Sequence, residues 1–241
     1  MIKYNNSNII DWNFGDDNII KVYRNNAVCY YKVTSGDTPS RLPSGYTEVE
    51  YVESTGNTGL NLGTTANQDT RIVAVMQTVT STLYGRLLGA GSYDKTNAIQ
   101  FDYEIGANGT LNVSWGTVAG WTTYSNCIGD TDVHEYDWDK NYFYRDKGTV
   151  NEFSATTTFG NFQTTDPIAL FCNYHQAFGG MENYWNGRCY SCQVYDDGTL
   201  IRDLVPCTRD SDSKAGMYDI VNDVFYYPPS GKSDLIAGQP I

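Results

Sequence analysis

The chain has 241 residues, enough for one large β domain or two small ones. Its 16 Lys and Arg against 28 Asp and Glu give a net charge of −12, which repels phosphate backbones and argues against nucleic acid as a partner. No apolar run reaches membrane-spanning length and the opening MIKYNNSNIIDW lacks a signal-peptide core, so the expectation is synthesis in a cytosol, with no membrane contact and no export by the usual route.

The 20 Tyr, 9 Phe, 5 Trp and 23 Gly, with frequent Thr and Asn, are strand-and-turn chemistry. No stretch holds a helical period beyond about two turns, so an all-β fold is expected. Residues 1–35 read as a separate arm. Ile19–Tyr23 and Ala27–Val33 are strand-like, and Arg24-Asn25-Asn26 suits a tight hairpin between them. Ile9, Ile10, Trp12 and Phe14 are too apolar for a free tail, and a lone hairpin is unstable in water. The arm therefore packs on the main domain, on another copy or on a partner; the other reading makes it the first strand pair of the main fold. With four basic and three acidic groups it is near neutral, as an interface would be.

Residues 36–44 read as a linker by composition, and residues 45–241 as one domain. Short strands follow at sandwich-like spacing: Glu48–Glu53, Thr70–Thr78, Arg86–Ala90, Ala98–Ile105, Thr110–Trp115, Val133–Trp138, Tyr142–Arg145, Ile168–Tyr174, Arg188–Tyr195 and Leu200–Val205. Turns fall at Ala107-Asn108-Gly109, Asp146-Lys147-Gly148 and Asp196-Asp197-Gly198.

The six cysteines are too few for a disulfide scaffold. Cys172-x-x-His175 and Cys189-x-x-Cys192 raise zinc or a redox pair. In a plain strand, however, residues three apart point to opposite faces and lie about 10 Å apart. Tyr190-Ser191 supplies no knuckle turn, so core packing is the preferred reading of Cys172, Cys192 and Cys207.

Several carboxylate pairs stand at strand spacing. Asp102 and Glu104 lie about 7 Å apart by strand rise, as do Asp137 and Asp139, with Glu135 two residues earlier. That separation suits glycoside cleavage, and a solvated outer face is the plainer alternative. Asp130-Thr131-Asp132 and Asp210-Ser211-Asp212 have spacing a hard cation such as Ca²⁺ accepts, against exposed polar loop. His134 and His175 are far apart and no G-x-S-x-G is present, so a serine triad is not supported; His134 reads as a hydrogen-bonding residue at a strand start. Trp115, Trp121, Tyr124, Tyr93 and Trp185 sit beside Gly, Ser, Thr or Asn. Sugar rings stack on exposed aromatics, and Gly120–Asn126, with Trp121, Tyr124 and Asn126, is the preferred glycan-contact loop. The alternative is that these rings fill a core or a self-association face.

Leu42–Gly56, LPSGYTEVEYVESTG, resembles the opening of a concanavalin A-like, LamG-type jelly-roll family found in structural proteins of tailed phages and prophages of gut bacteria. Gly187–Cys207 and Gly216–Tyr227 resemble its closing half. Residues 1–35 look like short leader modules on fibre or decoration proteins of crAss-like phages. The resemblance implies a two-sheet jelly roll displayed on a virion, held to a capsid or tail protein through Ile9, Ile10, Trp12 and Phe14. It further implies self-association as a dimer or trimer and weak adhesion to cell-surface or mucin glycan. It carries over no catalytic residue and no cofactor, so a non-enzyme is expected, and it lacks the E-x-D-x-x-E pattern of catalytic jelly rolls. In it Arg202 and Asp203 read as sheet-edge residues, Pro206 as a strand terminator and Tyr218-Asp219 as part of a closing turn. A head fibre is preferred over a tail fibre because the chain is short and ends without a receptor-tip domain. A tail-associated receptor-binding protein, a glycan depolymerase and a ligand-free spacer are the rival readings.

Overall fold

In Thr70–Thr78 the side chains of Thr70, Ile72, Ala74, Met76 and Thr78 are all 3% exposed or less. That period of two is what a strand with one core face requires. The computed structural model repeats it from strand to strand. It describes residues 3–4, 7–10, 19–24, 27–32, 41–79, 85–91, 100–105, 111–114, 122–124, 131–156, 161–175 and 179–241. Up to residue 32, at 91, and in 100–105, 111–114 and 122–124 it describes the backbone alone. These residues contain strands and turns but no helix.

The chain divides into two compact units, residues 1–43 and Ser44–Pro240. The first holds β1 (Lys3–Tyr4), β2 (Ser7–Ile10), β3 (Ile19–Arg24) and β4 (Ala27–Lys32) in an antiparallel meander of order β1-β2-β3-β4. The expected hairpin is its last pair. Arg24 stands opposite Ala27, while Asn25 and Asn26 lie outside the described residues.

In chain order the second unit contains β5 (Tyr46–Glu48), β6 (Val52–Thr55), β7 (Leu60–Asn67), β8 (Thr70–Thr78), β9 (Gly85–Gly91), β10 (Gln100–Ile105), β11 (Leu111–Ser114) and β12 (Thr122–Tyr124). There follow β13 (Val133–Asp139), β14 (Tyr142–Arg145), β15 (Phe153–Thr156), β16 (Gln163–Leu170), β17 (Asn173–His175) and β18 (Gly180–Glu182). The last are β19 (Asn186–Asp196), β20 (Thr199–Arg209), β21 (Lys214–Asp219), β22 (Val224–Tyr226) and β23 (Ile236–Ala237). One sheet runs β12-β11-β10-β9-β16-β7. The larger runs β15-β14-β13-β8-β19-β20-β21-β22, with β5, β6 and β23 attached beside it, and β17-β18 form a small ribbon. The pairings between these strands are antiparallel, and one isolated parallel bridge joins Arg86 to Tyr184.

The two large sheets share one core. Leu60, Leu62, Leu87, Leu88, Ile168 and Leu170 from the six-stranded sheet join Ile72, Met76, Tyr136, Trp138, Phe143 and Val194 from the other in a single buried cluster. Each such side chain taken out of water contributes about 1.5–3 kcal/mol, which is why the two faces stay together. The fold is a two-sheet antiparallel sandwich, as the composition and strand spacing implied.

Local backbone conformation decides where the expected strands change. Residues 168–174 read as one strand, but Phe171 has φ +66° and splits β16 from the β17-β18 ribbon. The strands β7, β15, β21 and β22 carry weaker alternation and were not anticipated; β7 is interrupted by Gly63 at φ +63°. Pro206 does not end β20. It stands opposite Met217 inside the strand, and its carbonyl accepts from Val49 N at 3.1 Å. Its missing N–H therefore faces the side where β5 pairing has ended at Glu48, and no ladder bond to β21 is lost. Asp197-Gly198 forms a two-residue hairpin with φ +44° and +75°, as the Asp-Gly sequence demands.

Candidate functional site

The outer face of the large sheet gathers the polar chemistry. The core takes Phe143, Trp138, Ile72 and Val194, so the alternate residues of the same strands face away from it. Cross-strand register aligns Thr156, Tyr142, Asp139, Arg71 and Tyr195 in one row. Beside it Ser154, Tyr144, Asp137, Val73, Gln193 and Asp203 form a second. Five strands at about 4.8 Å spacing make the first row about 19 Å long.

Tyr142 and Tyr144 lie two residues apart on β14, their rings 6.2 Å apart and 17° from parallel, with Tyr142 47% exposed. The Lys147 ammonium stands 4.1 Å above the Tyr144 ring and 3.4 Å from Asp137 Oδ2. Arg71 grips the same carboxylate with both ends of its fork: Nε donates to Oδ1 and Nη2 to Oδ2, each at 2.8 Å. The guanidinium also sits 5.5 Å from the Tyr195 ring centre. Tyr195 Oη donates to Gln193 Oε1 at 2.9 Å, and Gln193 Nε2 donates to Asp203 Oδ1 at 3.2 Å. One connected network thus crosses β14, β13, β8, β19 and β20, holding each polar group in place.

Asp137 is buried, and a buried carboxylate persists only when paired and hydrogen-bonded. Its bond to Arg71 raises that guanidinium above its ordinary value. Burial raises Glu135, reinforced by the negative charges of Asp137 and Asp146. Tyr195 is also raised, mainly by burial, with Arg71 opposing.

The carboxylates Glu135, Asp137 and Asp139 were flagged in the sequence by their spacing, and the fold puts them on this one face. Tyr142 and Tyr144 were not singled out as aromatics of the outer face, although their alternation with Phe143 was the available signal. Arg71 could not be assigned to Asp137, because 66 residues separate them and only the pairing of β8 with β13 joins them.

Trp115, Trp121, Asn126, Tyr93, Trp12, Phe14 and Asp130 lie outside the described residues. Tyr124 is in β12, its backbone opposite Leu111, while Ile9 and Ile10 are in β2. Trp185 does not offer a sugar platform. It is 1% exposed, its ring stacked 6.0 Å from Phe171, because Gly187 on β19 leaves room for it in the core. Asp102 and Glu104 lie on β10, whose register against β9 shifts between them. Asp210 accepts from Thr47 Oγ1 at 2.9 Å, and both oxygens of Asp212 are taken by Arg209 at 3.0 and 2.7 Å. A Ca²⁺ reading of Asp210-Ser211-Asp212 therefore competes with a formed guanidinium fork. His134 Nδ1 lies 2.6 Å from Asp146 Oδ2, the hydrogen-bonding role expected for it.

Cys172, Cys189, Cys192 and Cys207 are free and fully buried. The expectation that Cys189 and Cys192 point to opposite faces is overturned. The β19–β8 register shifts between Cys189 and Ser191, so Tyr190 is an extra residue and both thiols enter the core. Burial raises all four, Cys192 and Cys207 to about 12. Among the described residues no group of three or more His, Cys, Asp or Glu is placed to hold a metal ion.

No family model and no curated protein matches this chain. Among solved structures, one described as Ruminococcus gnavus IT-sialidase CBM40 is similar at 16% identity and a TM-score of 0.42, covering 65% of this chain and 92% of that one.

Proposed function

We propose that the sandwich is a non-catalytic carbohydrate-binding module carried on a phage particle. The carrying observation is the stacked Tyr142–Tyr144 pair, Tyr142 exposed and Tyr144 half-buried, beside the Asp137–Arg71 network. Aromatic faces stack on sugar rings, and a row of fixed acceptors receives hydroxyl hydrogens; a binder needs nothing more. The phage setting draws on LPSGYTEVEYVESTG and on the Gly187–Cys207 stretch. In that setting residues 1–35 attach the chain to a capsid or tail protein, and many copies turn weak single-site binding into avidity.

The test is a glycan array probed with the full chain and with a Tyr142→Ala/Tyr144→Ala variant whose melting temperature is checked. Saccharide binding by the first and its loss in the second is the expected result. Retention of binding in the folded variant would refute this location.

Glycan cleavage is favoured by one observation only: Glu135 is raised and stands two residues from Asp137, an acid and a carboxylate at glycosidase-like spacing. Release of reducing ends by the wild type but not by Glu135→Gln would replace the binder with an enzyme.

A further inference from the structure

Resting on the carbohydrate reading, we infer that this outer face selects uncharged oligosaccharides and rejects acidic ones. An anionic sugar, whether sialic acid, uronic acid or sulfated, is recognised by a cation with free donors, above all a guanidinium fork. Two cations beside the Tyr142–Tyr144 pair, Arg71 and Lys147, are bound to the same carboxylate, Asp137, and Lys140 in the β13–β14 turn stands 3.4 Å from Asp69. Arg71 uses Nε and Nη2 on Asp137, one of the two bidentate edges of its fork. An acidic sugar that reaches the remaining Nη1 edge meets a cation whose charge Asp137 already offsets, and Asp137 is too buried to be rehydrated if it is displaced.

The carboxylate left on the face is an acceptor: Asp139 stands in the first row between Tyr142 and Arg71, whereas Asp203 at the end of the second is buried and already takes the Gln193 amide. A carboxylate at the Asp139 position takes hydrogens from sugar hydroxyls and repels a second carboxylate. The chain's net charge of −12 adds to the repulsion at long range. A row about 19 Å long exceeds one sugar ring, so an oligosaccharide fits better than a monosaccharide.

The experiment uses ligand pairs with one neutral and one anionic member. The full chain is titrated with highly methyl-esterified polygalacturonate and with the same polymer after de-esterification, and with lactose- and sialyllactose-bearing neoglycoconjugates, at low salt. The neutral member of a pair binds at least tenfold more tightly. Asp139→Asn, an outward position not needed for the Arg71 fork, narrows that ratio without loss of the melting transition. Equal or tighter binding of the charged member in both pairs overturns the inference while leaving the carbohydrate reading intact. Binding of neither member of either pair, nor of any glycan on the array, removes that reading and the inference together.

Discussion

A Cβ built on Gly187 would stand 2.1 Å from Cη2 of Trp185. The glycine on β19 is thus the floor beneath the indole, and the indole in turn stacks on Phe171. Trp185 and the absence of a side chain at 187 are one structural feature.

Gly187→Ala therefore destabilises the sandwich by about 1–3 kcal/mol, the range for overpacking a filled core. Urea unfolding of Gly187→Ala, Trp185→Phe and the double variant measures it. The double variant recovers part of the loss, since the smaller ring withdraws from the added methyl. Strict additivity would show that the two do not share this contact.

Arg71→Ala costs more stability than Lys147→Ala. Arg71 makes two 2.8 Å bonds to Asp137, whereas Lys147 reaches it at 3.4 Å with its side chain 42% exposed. Removing the fork strands a buried carboxylate, an effect on the order of 3 kcal/mol, while an exposed lysine pair is worth at most about 1 kcal/mol. Chemical denaturation of the two variants at one pH decides the order.

The four described thiols are inert in the folded chain. With Cys29 and Cys127 replaced by serine, a disulfide reagent at pH 8 titrates none of them before denaturant is added, and all four afterwards. The reason is that the thiolate is the reactive form and burial holds Cys192 and Cys207 near 12, with Cys172 and Cys189 also raised. Rapid labelling under native conditions would contradict the core placement.

His175 makes stability fall on acidification. Burial lowers its folded value below the ordinary 6.5; Arg86 acts in the same direction, while Glu182 and Asp166 oppose. Below the ordinary value the unfolded chain binds the proton more readily, so stability is present above that pH and is lost as pH drops through it. Melting curves between pH 7.5 and 5.0 show the decline, and His175→Gln flattens its slope. Glu135 has the opposite sign: a raised carboxyl loses stability as pH climbs from its ordinary to its raised value, so Glu135→Gln raises the melting temperature at neutral pH.

Much of the sandwich was legible because its signals are local. Period-two burial in Thr70–Thr78, the Asp197-Gly198 hairpin and the carboxylate series Glu135, Asp137 and Asp139 each need only neighbouring residues to declare themselves. The C-x-x-C misled for the complementary reason. A bulge at Tyr190 is a mismatch between β19 and β8, strands more than a hundred residues apart, and one inserted residue reverses the face of everything beyond it.

Composition and alternation by themselves determined that this chain is all-β, acidic and rich in aromatic side chains able to serve either a core or a surface. They could not decide which aromatics do which. Trp185 looked like a loop platform and is core; Tyr142 looked like one more strand tyrosine and is 47% exposed. Exposure depends on what the other sheet and the neighbouring strands place over a ring, and Arg71 meets Asp137 only because β8 pairs with β13. Those contacts exist only after the long-range pairing forms, so the tertiary structure alone turned a list of tyrosines and carboxylates into a face.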